Sequence, residues 1–320
     1  MPNPTSGTTL QRPDLGALAY EFYKDAAQRG FIGLEVLPVF EVPQVSMDNP
    51  KLPIEAFMKL QKTQRARRGH YNRSDYEFET GTFACEEHGW EEAIDDVERK
   101  LYQRFFDAEE VAVLRAVNII LRNHEKRVAA AVQSTGNITN TAAVTIEWST
   151  PATAIPRADV FGAKNALRLA TGVLVDSMAI NATVLNNLLL SAEVKDALKY
   201  TNPLEMGSMQ QQIAQLSQYF GLELLVAGGL YDTTKKGQSF TLAELWDDEY
   251  CLLFAKSTGM DLETPSLGRT FLWVEDSPDI LTTETYREES KRSDIYRVRH
   301  QVDEAFIFTG AGYLLSNITE

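Results

Sequence analysis

The longest regular pattern in the chain is an apolar stripe at helical spacing over residues 89–133. Its members recur three or four positions apart, and no glycine or proline follows Gly89 in this segment. The stripe consists of Ile94, Val97, Leu101, Phe105, Ala108, Ala112, Ala116, Ile120, His124 and Val128. It predicts one helix, roughly 65 Å long at about 1.5 Å per residue. Because the spacing keeps no strict heptad, the pattern favours a spine lying across a sheet over a coiled coil.

The pattern before this spine predicts a short helix and then extended chain. Apolar positions on one side, Asp14 as cap and Gly30 as terminator favour a helix over 14–29. From residue 31 to 89, short apolar runs cut by prolines predict the two arms of a long hairpin. Isolated two-stranded hairpins are marginal in water, so we expect a neighbouring subunit to cover this one.

The second half of the chain has the pattern of a compact α/β unit followed by long strands. Pro151 and Pro156 mark its boundary. The tail, 282–318, is rich in Thr, Tyr, Ile, Val and Phe, which predicts sheet strands that pack with the spine. In between, the pattern predicts helices over 159–172, 181–190, 191–199 and 206–220, and strands over 144–148, 173–175, 222–226 and 250–255.

The composition is that of a globular protein with one or two domains. The chain has 320 residues, of which 44% are hydrophobic and 24% charged. No segment has the length of a membrane span, and the first ten residues lack a basic-then-apolar signal, so we expect a soluble, non-secreted protein. Cys85 and Cys251 lie far apart in sequence, which favours a reducing compartment over a disulfide framework and leaves a chance pairing open.

The charge distribution suggests a contact between copies of the chain. A formal net charge of −14 argues against sequence-independent binding of nucleic acid. The charges are segregated, with a basic segment at 59–73 and an acidic one at 86–98. Both can be solvated faces, the acids also favouring a helix start. Alternatively, the basic segment of one copy contacts the acidic segment of another, and the candidate residues are then Arg65, Arg67, Arg68, Glu91, Glu92, Asp95 and Asp96.

The sequence contains no motif for catalysis, a cofactor or a metal. The four histidines lack ligand spacing, and His124, on the apolar stripe, is expected to be a satisfied core residue. Gly310-Ala-Gly312 and the glycines at 228–237 lack the remaining residues of a dinucleotide or phosphate loop. The acidic run 247–249 is expected to be a solvated turn. We therefore expect no enzyme activity and no cofactor, although residues scattered in sequence can still form a site.

The order of the parts resembles the major capsid proteins of tailed bacteriophages, the family with the Hong Kong 97-type shell fold. The resemblance covers nearly the whole chain and is carried by residues 216–226, 245–254 and 265–273, with 285–294 and 309–317 of the tail. It implies an α+β fold with an N-terminal arm at 1–34 and an extended β-hairpin loop at 35–88. It further implies a peripheral domain of spine helix and sheet at 89–150 and 276–320, and an α/β axial domain at 151–275.

The function that this resemblance implies is structural. Members of the family form hexamers and pentamers that close an icosahedral shell around double-stranded DNA. We expect non-covalent closure, assembly in the host cytoplasm on a separate scaffolding protein, a portal, and in some cases decoration proteins. The acidic charge fits a wall that holds DNA only weakly. The alternatives are an encapsulin-like nanocompartment shell, a cytosolic α/β enzyme with an acidic surface, and a phage assembly or adaptor protein.

Overall fold

A computed structural model describes residues 10–11, 15, 19, 30–51, 58–65, 67–73, 79–102, 107–199, 208–235, 237–257 and 265–319. Its described helices pack on two larger sheets, one of six strands and one of five, and two further pairs of strands form small separate sheets. The combination of helices with mixed sheets is the α+β class that the sequence predicts.

The six-stranded sheet is built around one long strand near the end of the chain. The members of the sheet are β1 (Leu10–Gln11), β2 (Val39–Val42), β5 (Glu86–Asp95), β12 (Gly268–Trp273), β13 (Thr282–Glu288) and β14 (Ser293–Phe306). The long strand, β14, pairs antiparallel with β5, β12 and β13, while β2 runs parallel to β12. The strands expected in the tail are therefore confirmed.

The prediction of one helix from residue 89 is wrong for the first part of the segment. Glu86–Asp95 forms β5, which pairs with β14 over all ten residues, and helix α2 (Asp96–Tyr102) follows it. The ladder gives the backbone hydrogen bonds that a helix would otherwise supply, so long-range pairing overrides the helical spacing. Helix α3 (Ala108–Val132) then begins anew, because the carboxylate of the extended Asp107 accepts a hydrogen bond from the Glu109 amide at 3.0 Å.

Helix α3 is the predicted spine, and it lies across the six-stranded sheet. In its first half, Val113, Val117 and Ile120 pack against Tyr296 and Val298 of β14. Its last turns enter a different core together with the short helix α1 (Gly33–Val36) and the five-stranded sheet. The 25 residues of α3 span about 38 Å and connect the two sheets.

The five-stranded sheet forms the second unit. Its order is β6–β15–β11–β7–β8, and the small hairpin of β9 and β10 follows β8. Helices cover one face of the sheet around Trp148, Leu185 and Phe220. The strands are β6 (Thr141–Ala143), β7 (Ser177–Asn181), β8 (Glu223–Ala227), β9 (Leu230–Asp232), β10 (Leu242–Glu244), β11 (Cys251–Phe254) and β15 (Gly312–Ser316). The helices are α4 (Pro156–Thr171), α5 (Ala182–Leu190), α6 (Ala192–Leu198) and α7 (Met209–Phe220).

All four predicted helices of this unit are confirmed, and their ends are set by local chemistry. The Asn181 side chain caps α5, and Gly172 and Gly221, both at positive φ, end α4 and α7. The strands expected at 144–148 and 173–175 are wrong by a few residues, because sheet pairing occurs at β6 and β7. Strands β6 and β15, which come from segments expected in the peripheral domain, lie in this sheet. The domain bounds themselves stay a prediction.

The two arms of the expected hairpin are present as β3 (Ser46–Lys51) and β4 (Glu79–Ala84), which pair antiparallel. Between them, the described residues 58–65 and 67–73 are almost all exposed. The helix expected at 14–29 falls outside the described residues except for Leu15 and Ala19, which are buried against the sheet core.

Candidate functional site: the exposed loop, the acidic strand and two buried joints

The extended loop is anchored at its base by packing and by one half-buried carboxylate. The Phe83 ring of β4 stacks on Phe271 of β12 with ring centroids 4.5 Å apart. The Ala84 amide donates to the Asp303 carboxylate at 2.9 Å, and burial raises the pKa of that carboxyl. Cys85 is buried beside them, and burial raises its pKa to about 11, so the thiol is not a reactive nucleophile. The base of the loop is thus fixed to the sheet.

The basic end of this loop is solvent-exposed. The Arg65 guanidinium lies over the Tyr71 ring, 4.6 Å from its centroid. Arg67 and Arg68 are exposed, and Arg68 adopts a positive φ of 66°. Among the described residues, none of the three arginines forms an ion pair with a carboxylate. The three arginines are thus surface residues in the part of the loop that the structure describes.

The predicted acidic residues lie on β5 and at the start of α2, and each already has a partner within the chain. Glu91 pairs with Arg297 of β14 at 2.7 Å. Glu92 accepts a hydrogen bond from the Trp90 indole at 2.9 Å and lies 3.6 Å from Arg115. Asp95 caps the start of α2 by accepting from the Val97 amide at 2.7 Å.

Asp96 has the strongest of these partners. Its carboxylate receives two hydrogen bonds from Arg287, at 2.7 and 2.9 Å, and these lower its pKa to about 2. Arg287 also contacts Asp294 at 3.1 Å, and Asp294 in turn bonds Arg99 of α2. The acidic segment is thus part of an ion-pair network that fixes β5 and α2 to the sheet. A contact between the arginines and these acids of another copy stays a prediction.

A buried carboxylate on α3 connects the spine to the start of α1 and to the segment that follows β10. We call such a buried polar contact between elements a joint. Glu125 accepts hydrogen bonds from the backbone amides of Ile32 at 2.9 Å and Gly33 at 2.7 Å, and from the Trp246 indole. A Cβ at Gly33 would lie 2.6 Å from the carboxylate, so only glycine permits this approach. Burial raises the pKa of Glu125 to about 7, although the three donors act in the opposite direction.

Three of the four histidines form a second joint, one residue earlier on α3. His124 lies against His300 of β14 and near His88 of β5, and its Nε2 atom is 3.4 Å from the Glu304 carboxylate. His124 is buried as expected, but the expectation that it is satisfied is wrong for Nε2, which has no hydrogen-bond partner among the described residues.

Sequence reasoning missed both joints. A signal existed for Glu125, because it lies four residues from both Leu121 and Ala129, on a second buried face of the helix. No signal existed for the histidine cluster, whose members come from three separate elements. Within the described ranges, no three His, Cys, Asp or Glu side chains are arranged to hold a metal ion. None of the helices described is both long and apolar enough to cross a membrane.

The whole fold is similar to solved structures of phage proteins. A phage-related protein of Bordetella bronchiseptica matches with a TM-score of 0.70 and 19% identity, over 97% of this chain and 98% of that chain. A prophage capsid protein of Escherichia coli matches with a TM-score of 0.57 and 13% identity, over 97% and 99%. An encapsulin complex from Synechococcus elongatus has a TM-score of 0.51 and 10% identity, over 90% and 88%.

No model of a protein family and no curated protein matches this sequence. The structural similarity nevertheless runs from end to end of both chains, which excludes a match to one shared subdomain. The chain therefore has the fold of tailed-phage capsid proteins, as the order of its elements predicts.

Proposed function

We propose that the chain is a major capsid protein whose copies form hexamers and pentamers and close an icosahedral shell around phage double-stranded DNA. The observation that carries the proposal is the similarity over 97% of the chain to a phage-related protein and to a prophage capsid protein. We propose a structural role in the virion and no catalytic one, with assembly in the host cytoplasm on a separate scaffolding protein and with a portal. Decoration proteins can bind outside.

Surface features of the chain support self-association. The loop between β3 and β4 exposes nearly all of its described residues, and a neighbouring copy would bury them. The five-stranded unit also exposes large apolar side chains, which mark contact surfaces when they are grouped. These include Phe161, Leu169, Leu174, Leu190 and Met209. Contacts of this kind, made head to tail, close into rings.

The electrostatics fit a shell that holds DNA without binding it tightly. The net charge of −14 per copy repels phosphate, which leaves the packaged DNA free to slide and to be ejected. Repulsion between copies extends only about 8 Å at physiological salt, whereas obligate interfaces commonly bury about 2,000 to 5,000 Å². Contact area therefore outweighs the repulsion.

Within this proposal, Arg65, Arg67 and Arg68 contact the acidic segment of a neighbouring copy. Because Glu91 and Asp96 already bind Arg297 and Arg287, an incoming arginine joins existing pairs and adds little energy per contact. Such a contact instead sets the orientation of the neighbour and the rate at which it docks. Six exposed cations in one segment of an acidic protein make that steering specific.

The contact is tested by reversing the charges of the loop. We expect the R65E/R67E/R68E variant to stay folded and to fail in assembly, as measured by sedimentation velocity and circular dichroism. The matched control is R168E/K195E/K235E, which makes the same change in net charge at exposed positions of the five-stranded unit. Normal shells from the loop variant would remove the contact, and failure of both variants would mean that the effect is not specific to the loop.

An encapsulin-like shell is the second candidate, favoured by the similarity to the Synechococcus elongatus encapsulin complex. The two functions differ in what the particle contains. We expect purified particles from the native host to hold nuclease-protected double-stranded DNA and a portal. Particles that contain a protein cargo and no DNA would support the encapsulin function instead.

A further inference from the structure

His88, His124 and His300 meet where the spine helix α3 crosses strands β5 and β14. The ring centroids of His88 and His300 are 5.7 Å apart, and those of His124 and His300 are 6.1 Å apart. His88 and His300 are direct cross-strand partners in the β5–β14 ladder. The remaining charged groups that face the cluster are Arg127 of α3, Glu304 of β14 and Glu86 of β5.

The cluster has little capacity to accept a proton. His124 and His300 are only 2% and 1% exposed, and the Nε2 atom of each has no hydrogen-bond partner among the described residues. The nearest carboxylate, Glu304, is already engaged by Arg127 through contacts of 2.8, 3.1 and 3.3 Å. At neutral pH, this ion pair balances the charge beside His124 and His300, while the exposed Glu86 faces His88. A proton added to His124 or His300 therefore leaves an uncompensated buried cation.

The pKa shifts have the same direction for all three imidazoles. Burial lowers the pKa of His124 to about 4, with Glu304 opposing and Arg127 adding to the shift. Burial lowers the pKa of His300 well below its ordinary value, helped by the neighbouring His124 and Arg127 and opposed by a hydrogen bond to the Ile280 backbone. Burial and Arg127 also lower the pKa of His88, against the influence of Glu304 and Glu86.

We propose that this histidine cluster is an acid-sensitive joint, at which protonation separates helix α3 from β5 and β14 while the five-stranded sheet stays folded. In the folded cluster the lowered pKa keeps the histidines neutral, whereas in the opened cluster they bind protons at their ordinary pKa. The contribution of the cluster to stability is therefore complete above pH 6.5 and is lost as the pH falls towards 4. The joint lies within a single chain, so the proposal holds whether or not the chain forms shells.

The test is amide hydrogen exchange of the full chain as a function of pH, corrected for the intrinsic pH dependence of exchange. Because Glu125 is stabilised by acid, the readout is an opening that leaves its hydrogen bonds to Ile32, Gly33 and Trp246 intact. For that opening we expect, from His124 alone, the opening constant of the β5 and β14 amides to rise about 100-fold between pH 7 and pH 4. Amides of β7 and β11 should keep their protection over that range. Parallel loss of protection in both sheets would overturn the proposal.

Matched variants assign the effect to the cluster. We expect H124Q to remove the 100-fold rise, about what its titration contributes, and H70Q, at an exposed histidine of the loop, to behave as the parent. An equal rise in H124Q and the parent would refute the joint. If H124Q does not fold, proton NMR of the parent tests whether the buried histidines stay neutral in the folded chain. The His124 and His300 ring signals should stay at the neutral-imidazole position down to pH 5, and movement of either near pH 6.5 would overturn the proposal.

Discussion

Replacing Glu125 with glutamine tests how α3 is fixed to the rest of the fold. The carboxylate accepts three N–H groups, from Ile32, Gly33 and Trp246. A glutamine oxygen at the Oε1 position can still accept from Ile32 and Trp246. The glutamine NH₂ group would then face the Gly33 amide, which is a donor, and one buried donor would lose its acceptor. Such a loss costs about 1–3 kcal/mol.

The size of this penalty depends on pH, because the native carboxyl titrates. Its pKa rises from 4.5 to about 7 on folding, so the parent gains stability that is fully present below pH 4.5 and lost as the pH rises through 7. Between pH 5 and pH 8 this amounts to about 2.5 kcal/mol. Glutamine does not titrate. We therefore expect E125Q to be less stable than the parent at pH 5. The gap, which is the difference between their free energies of unfolding, should be about 2.5 kcal/mol smaller at pH 8.

The assay is urea unfolding of both proteins at pH 5, 6, 7 and 8, followed by circular dichroism. E110Q, at an exposed glutamate in the first turn of the same helix, is the matched control for a single glutamate-to-glutamine change on α3. A gap for E125Q that is constant with pH would refute the raised pKa. A gap that widens with pH would mean that the three N–H donors outweigh burial and keep Glu125 ionised.

Two further predictions concern packing. F271A should lower the free energy of unfolding by about 3–5 kcal/mol and speed hydrogen exchange in β3 and β4. The reason is that Phe271 is 2% exposed and stacks on Phe83 at the loop base. A loss below about 1 kcal/mol would contradict this. G30A should destabilise more than G221A in thermal unfolding. Both glycines have positive φ, which costs an L-residue about 1–2 kcal/mol, but only at Gly30 would a Cβ meet backbone, 2.5 Å from the Gly228 nitrogen. Equal losses would show that the close approach is not a constraint.

Local signals in the sequence predicted the helices of the five-stranded unit well. Asn181 precedes α5, and Gly172 and Gly221 follow α4 and α7, so each boundary is set by residues next to it. The apolar stripe likewise predicted that α3 lies across a sheet, because an amphipathic face of that length must be covered. The order of elements along the chain was enough to indicate the capsid fold.

Elements that depend on distant pairing were not predictable in the same way. The acidic residues of β5 fit the first turns of a helix equally well, and only the ladder with β14, about 200 residues later, makes the segment a strand. The partners of Glu91 and Asp96 are arginines of the same distant tail. The two buried joints have the same origin, since their members come from elements that meet only in the folded chain.

The measurement that tests the central claim most directly is negative-stain electron microscopy of the chain expressed alone and together with a candidate scaffolding protein. Closed particles, or separate rings of six and five subunits, are the predicted result. A stable monomer or dimer under every assembly condition would contradict the capsid function.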